Sequence, residues 1–203
     1  MQLCTAIYKQ ALIMIKRRGS IILIGLLCSF SMYGQKVALK TNLVADATTT
    51  INLAAEFGIK PKSTLDIYVN YNPWSLGNNK LFKHVLIQPE YRFWFCERFS
   101  GSFFGIHAHA GIFNVGGVNM PFGIWNKLES NRYEGEFIGA GVSYGYQWVI
   151  SSHWNLEANI GAGYAYINYD RYKCKTCGKL QDKNKSKHYI GPTKAAISLV
   201  YLF

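Results

Sequence analysis

The chain has 203 residues, of which 49% are hydrophobic, 15% aromatic and only 16% charged, and its formal net charge is +11. This length suits a single domain, and the low charge with many aromatic residues excludes an intrinsically disordered chain. The positive charge does not indicate nucleic-acid binding, because neither a recognition helix nor a stacking platform accompanies it.

The start of the chain has the pattern of a secretory signal peptide. The basic cluster 16–18 precedes an apolar run at 21–27, and small or polar residues follow. The run is shorter than the about 20 apolar residues that a membrane-spanning helix needs. We therefore predict a signal peptide over residues 1–34 and a mature domain over residues 35–203. Met14, directly before the basic cluster, is a candidate for the true start.

Alternation of apolar residues with small or polar ones recurs through the mature chain and predicts an all-β fold. The predicted strands lie at about 36–45, 50–59, 63–72, 84–96, 102–114, 134–150, 154–170 and 188–203. Short connections alternate with longer ones at 73–83, 115–132 and 171–187, although the first connection, near 46–49, is also short. This pattern is typical of an eight-stranded antiparallel up-and-down transmembrane β-barrel.

The composition of the two strand faces predicts which one is inside. The polar face is largely glycine, alanine, asparagine and serine, which suits a crowded interior better than a water-facing exterior. The apolar face carries aromatic residues near strand ends, as in the aromatic girdles of lipid-facing barrels. These residues are Tyr71, Trp74, Tyr91, Phe93, Phe95, Tyr146, Trp148, Tyr164, Tyr166, Tyr201 and Phe203.

The last strand ends on two alternating aromatic residues, Tyr201 and Phe203. This ending resembles the terminal assembly signal of many bacterial outer-membrane barrels, so we predict recognition by the barrel-assembly machinery. The alternative is a last strand that merely closes a sheet.

Charged and imidazole side chains on the predicted inward face form the candidate site. They are Lys40, Glu56, Asp66, Glu90, Arg92, His107, His109 and Glu157. Buried charges need partners, so we predict a salt-bridged network that fills the interior. Glu90 and Arg92, two residues apart on one face, are the strongest single pair. A proton relay or a narrow conduction path is the functional alternative.

Motifs for catalysis or metal binding are weak. His107 and His109 supply two ligands, whereas a structural zinc needs four and a catalytic zinc three. A catalytic role would require them near a carboxylate such as Glu136 or Asp66, and the chain has no Gly-x-Ser-x-Gly motif. We expect no enzyme, metal or cofactor. The alternatives are a small barrel enzyme acting on lipid or surface protein and a soluble secreted ligand-binding barrel.

The cysteines and lysines near the end of the chain suggest a modified, basic loop. Cys174 and Cys177 are candidates for a local disulfide in the last long loop. Cys96 is expected at the opposite rim, about 25 Å away, too far to bridge either of them. Lysines crowd the same loop and predict either simple solvation or contact with anionic lipopolysaccharide or an acidic partner. They are Lys173, Lys175, Lys179, Lys183, Lys185 and Lys187.

Several short segments carry a family resemblance across nearly the whole mature chain. They are 38–43 (ALKTNL), 70–74 (NYNPW), 88–92 (QPEYR), 144–148 (YGYQW) and 191–195 (GPTKA). They resemble an uncharacterised family, a domain of unknown function, of small Gram-negative outer-membrane β-barrel proteins that are similar in architecture to OmpA-like and OmpX-like barrels. The resemblance implies a barrel of the cell envelope without an assigned reaction. It implies as partners outer-membrane lipid, including lipopolysaccharide, and surface or fimbrial proteins.

Overall fold

The structure is a computed structural model that describes residues 37–76, 80–117, 131–173, 178 and 180–203. The predicted signal peptide, the candidate start at Met14 and the candidate disulfide between Cys174 and Cys177 lie outside the described residues. Within those ranges, no helix has both the length and the apolar character needed to cross a membrane.

The described residues are almost entirely β-strand. The strands are β1 (Val37–Asn42), β2 (Ile51–Lys60), β3 (Ser63–Asn72), β4 (Ser75–Leu76), β5 (Lys80–Trp94), β6 (Gly101–Gly116), β7 (Arg132–Val149), β8 (Trp154–Tyr172) and β9 (Leu180–Leu202). A helix, α1 (Leu43–Ala47), follows β1. Eight of these strands are long, as the sequence predicts, and the two-residue β4 pairs with the start of β5.

Each long strand is antiparallel to its two neighbours, and the sheet closes into a ring. The strand order runs β3-β2-β1-β9-β8-β7-β6-β5, and pairing of β3 with β5 closes it. At the seam between the chain ends, β1 pairs with β9 from Ala38 opposite Leu202 to Asn42 opposite Ser198. The backbone N–H of Phe203 also donates to the carbonyl oxygen of Val37 at 2.9 Å. The predicted eight-stranded antiparallel up-and-down barrel is therefore confirmed.

Three predicted strand boundaries are wrong. β5 begins at Lys80 instead of residue 84, because its start pairs with β4. The first strand stops at Asn42 instead of residue 45, because the Asn42 side chain accepts a hydrogen bond from the N–H of Val44 and caps α1. The last strand begins at Leu180 instead of residue 188, because it continues to pair with β8 up to Tyr172. Most of the predicted last loop, including Lys183 and Lys185, is therefore strand.

The connections divide the barrel into two rims. Short turns at 61–62, 95–100 and 150–153 lie at one rim together with both ends of the described chain, here called the short-turn rim. The opposite ends of the long strands form the other rim, here called the loop rim.

The apolar faces of the strands point outward and the polar faces inward. Along β7, Ile138 is 63% exposed and Val142, Tyr144 and Trp148 are also exposed, whereas Ser143 between them is buried. The same alternation continues on β6 and β8. The interior is thus polar through most of the barrel.

Apolar residues close the interior at the short-turn rim, which the sequence did not predict. Trp94 and Phe103 are fully buried there, with ring centroids 4.7 Å apart, and Trp94 also contacts Phe99. Phe99 has φ of 64°, a left-handed conformation that is costly for an aromatic residue. Packing of its ring against Val200 and Leu202 compensates for this cost.

Candidate functional site

A cluster of buried charges fills the middle of the barrel. Four carboxylates and three cations meet there, and we call this cluster the charged layer. Its members are Lys40, Glu56, Asp66, Glu90, Arg92, Glu157 and Lys194. All eight residues predicted for the site are buried, at 5% exposure or less.

The guanidinium group of Arg92 is the centre of the charged layer. Its Nε donates to Glu90 at 2.6 Å, and its two terminal nitrogens donate to Glu56 at 3.0 Å and to Asp66 at 2.9 Å. Both terminal nitrogens also donate to Glu157, at 2.9 and 3.0 Å. One side chain from β5 therefore ties together carboxylates from β2, β3, β5 and β8.

Two lysines complete the compensation of charge. The ammonium group of Lys40 contacts Glu56, and it lies 3.2 Å from Asp66 and 3.1 Å from Glu157. Lys194 donates to the second oxygen of Glu90 at 2.7 Å. Each carboxylate of the charged layer consequently has at least one cationic partner, as buried ionised groups require.

Strand register explains why this much positive charge is needed. Glu56 lies directly opposite Asp66 on the neighbouring strand, and Asp66 lies directly opposite Glu90 on the next. Like charges placed opposite each other on one face of a sheet destabilise it. Arg92 and Lys40 form ion pairs with these carboxylates and so offset the repulsion between them.

The two histidines lie on β6 next to the charged layer. The Nδ1 of His107 is 3.7 Å from Glu90, and its Nε2 is 3.0 Å from the hydroxyl of Thr193. The His109 ring centroid lies 5.6 Å from that of His107, toward the loop rim. Among the described residues, no group of three or more histidines, cysteines or acidic residues has the geometry of a metal site.

The carboxylates predicted as possible partners of the histidines are differently placed. Glu136 is exposed on the outer face of β7, whereas His107 points into the barrel. Asp66 is occupied by Arg92 and Lys40. The carboxylate that the fold brings to His107 is Glu90, its direct cross-strand partner.

Lys194 and Thr193 are site residues that the predicted set did not contain. Thr193 is the extra residue of a β-bulge, because Gly161 pairs with Lys194 and the next residue, Ala162, pairs with Pro192. Both Thr193 and Lys194 consequently contact interior groups although they are neighbours in sequence. Alternation of the last strand already places Lys194 inward, but no local signal marks the bulge.

Glycines and a serine on β7 make room for the larger side chains of β6. A Cβ at Gly141 would lie 2.7 Å from the Nε2 of His107. On β6 itself, a Cβ at Gly105 would lie 2.9 Å from the Cδ of Glu90. Ser143 is small and also donates to Glu90, at 3.2 Å. The small residues of the polar face thus leave the space that His107 and the charged layer occupy.

A cavity of about 250 Å³ lies between the charged layer and the loop rim. Arg92 and Lys194 line its charged end, and Tyr68, Asn70 and His84 are among its polar walls. Residues of α1 and of the following turn, including Thr48, line it as well. The interior therefore has a filled half and a half with space.

The terminal aromatic pair lies on the outer surface at the short-turn rim. Tyr201 packs edge-on against Trp154 and against Phe203, with centroid distances of 5.0 and 4.9 Å. Phe203 is 67% exposed. At the same rim, Cys96 is an exposed free thiol.

The fold and site together define a closed antiparallel β-barrel with a charged, plugged interior and an apolar exterior. Residues 20–203 match the model of a family described as a protein of unknown function, DUF3575. The chain belongs to this family. The prediction of an uncharacterised family is thereby confirmed, whereas the finer likeness to OmpA and OmpX has no support among the matches. Searches of curated proteins and of solved structures found no significant match.

Proposed function

We propose that the protein is an outer-membrane β-barrel with a structural or surface-interaction role and a plugged polar interior, without an assigned reaction. The observation that carries this proposal is the arrangement of its faces, with charges inside and apolar side chains outside. A soluble barrel has the opposite arrangement, because its apolar face packs in the centre and its polar face meets water.

The extent of the outer apolar face matches a bilayer. On β7, exposed apolar or aromatic residues run from Ile138 to Trp148. At about 3.3 Å per residue and a tilt of about 40°, this stretch spans about 25 Å, the height of the apolar band of outer-membrane barrels. Hydrocarbon around this surface would remove the cost of exposing it to water.

Both ends of the apolar face have the expected borders. Toward the loop rim, Glu136 on β7 and its partner Asn168 on β8 end the apolar stretch, and Glu134 and Asp170 pair one step further. Toward the short-turn rim, exposed aromatic residues are concentrated on the outer surface. These include Tyr91, Phe93, Phe95, Phe104, Tyr144, Tyr146, Trp148 and Trp154. Aromatic residues at such a position favour a membrane interface.

The closed ring and the filled interior support a role without wide conduction. All eight long strands pair on both sides near the short-turn rim, which satisfies backbone groups that hydrocarbon could not solvate. The charged layer and the plug around Trp94 and Phe103 fill the centre at that end. We assign the surface role to the loop rim, where the later strands extend beyond the earlier ones.

Membrane location is tested by fractionation of cells that express the full chain with its leader. We expect the protein in the outer-membrane fraction, with gel migration that changes on boiling because the folded barrel resists detergent. A protein found in the soluble periplasm, with the same migration before and after boiling, would contradict the proposal.

Orientation is tested by thiol labelling in a C174S/C177S background. Cys96 at the short-turn rim should react with a polymer-linked maleimide only after the outer membrane is permeabilised. A matched variant that carries C96S and Lys183→Cys should react in intact cells. Labelling of Cys96 in intact cells, with a protected thiol at position 183, would show that the barrel has the opposite orientation and would contradict the proposed surface role.

A further inference from the structure

Strand β9 is much longer than the strand that completes the ring beside it. β9 pairs with β8 from Leu180 to Tyr201, but it pairs with β1 only from Ser198 to Leu202. β1 ends at Asn42, directly before α1. On the side that faces β1, the part of β9 before Ser198 therefore pairs with no described strand.

The part of this edge nearest to β1 is capped by the Asn42 side chain. Its Nδ2 donates to the carbonyl oxygen of Ala195 at 3.4 Å, and its Oδ1 accepts from the N–H of Ile197 at 3.3 Å. An amide side chain thus continues the hydrogen-bond ladder for one step beyond the end of β1. A capped edge at this height agrees with contact with hydrocarbon, which penalises free backbone groups.

The next step of the edge is closed by other means. The Gln88 side chain donates to the carbonyl oxygen of Thr193 at 3.5 Å, and the Tyr189 hydroxyl donates to that of Pro192 at 3.1 Å. Pro192 has no N–H to leave unpaired, and the bulge at Thr193 interrupts the ladder. Proline and bulges are common devices that prevent an edge strand from pairing further.

Beyond Pro192 the strand has further bulges near 181 and at 183–184, where the register with β8 shifts and Asn184 has φ of 53°. From Lys185 to Ile190, between these bulges and Pro192, it runs without a shift in register. The segment Leu180–Ile190, which we call the β9 edge segment, pairs with β8 and with no other described strand. Ile190 is 84% exposed. The segment also holds the lysines Lys183 and Lys185, both exposed, and Lys187. An extended, basic edge is therefore presented at the loop rim.

We propose that the β9 edge segment binds an acidic, extended segment of a partner protein, which adds to the sheet as a strand. This inference rests on the proposed function, under which the loop rim faces the cell exterior. Main-chain hydrogen bonds to an open edge give such binding its affinity, and side-chain charges select the partner. A second copy of the chain is a poorer occupant, because antiparallel self-pairing would place the lysine run against itself.

The binding is tested with the folded mature barrel in detergent and a labelled synthetic peptide of alternating valine and glutamate. The matched control peptide has the same sequence and charge, but backbone nitrogens on both of its edges are methylated, which blocks strand pairing along either edge. We expect the first peptide to bind and the methylated peptide to lose at least about tenfold in affinity, since several main-chain hydrogen bonds are lost. The K183E/K185E variant should also lose on the order of tenfold.

Each alternative result overturns the inference. Equal affinity for both peptides would indicate charge attraction without strand addition, and no binding of the acidic peptide would exclude the proposed partner chemistry. A dimer of the barrel that forms through this edge instead would assign it to a second copy. Because heat-dependent migration of the same sample reports the folded barrel and fractionation reports its location, a failed peptide experiment is distinguishable from a failed membrane assignment.

Discussion

The two halves of the barrel interior are packed in opposite ways. Toward the short-turn rim, Arg92 makes five hydrogen bonds to four carboxylates, and its guanidinium carbon lies 4.5 Å from the Phe103 ring centroid. Toward the loop rim, a cavity of about 250 Å³ separates the polar walls, and the Asn70 side chain donates to the Tyr68 hydroxyl at 3.4 Å. We therefore expect the filled half to contribute more to stability than the half that holds the cavity.

Removal of Arg92 should lower the free energy of unfolding more than any other substitution proposed below. Arg92→Ala leaves four buried carboxylates with two lysines, so we expect a loss of about 3–5 kcal/mol in the free energy of unfolding. The measurement is urea unfolding of the barrel refolded into lipid vesicles, followed by tryptophan fluorescence. Asn70→Ala in the other half is the control and should cost about 1 kcal/mol or less. Equal losses for the two variants would contradict the assignment of stability to the filled half.

Filling of the space at Gly141 should have the next largest effect. A Cβ there would lie 2.7 Å from the Nε2 of His107 and 2.6 Å from the carbonyl oxygen of Ala162, and backbone cannot move aside cheaply. We expect Gly141→Val to cost about 1–3 kcal/mol in the same unfolding experiment. Ala140→Val, on the exposed outer face of the same strand, is the matched control and should change stability little. A neutral Gly141→Val would show that the boundary between the two halves is loosely packed.

Loss of the Asn42 cap should have a smaller, local effect. Asn42→Ala removes the acceptor for Val44 and the bridge to Ala195 and Ile197, so we expect a cost of about 1 kcal/mol. Amide hydrogen exchange should accelerate at Val44 and Ile197 and stay slow at Val200, which keeps its place in the β1–β9 ladder. Unchanged exchange at Ile197 would contradict the role of Asn42 at the edge.

Salt concentration should have the smallest effect on stability, because it screens exposed charges but not buried ones. Because the charged layer is shielded from solvent, raising the salt concentration to physiological strength should change the free energy of unfolding by less than about 0.5 kcal/mol. Binding of the acidic peptide to the exposed lysines of the β9 edge segment should weaken over the same range. A strongly salt-dependent unfolding free energy would show that solvent ions reach the charged layer.

The sequence predicted the inward residues well where a local rule applied. Glu90 and Arg92, two residues apart, must share a face of any strand, and the structure joins them at 2.6 Å. The sequence did not predict that Arg92 also binds Glu56 and Glu157, which lie 36 and 65 residues away along the chain. Those contacts depend on the register of separate strand pairs, and no local pattern encodes that register.

The sequence does not predict inward residues where the alternation of side chains along a strand is interrupted, or where large apolar side chains lie on the inner face. Thr193 enters the site through a bulge, which breaks the alternation at a single position. Trp94 and Phe103 were missed because aromatic residues were expected on the outer face, whereas a narrow barrel end also needs large side chains to fill it.

The amino-acid sequence by itself determined the number of strands in the ring, their two faces and the side on which each buried charge lies, because successive side chains of a regular strand point to opposite faces. Ring closure and register decided the rest. They placed Glu56, Asp66 and Glu90 in one row that needs Arg92 as its counter-charge. They also left β9 longer than β1, because the length of an open edge depends on where the neighbouring strand ends.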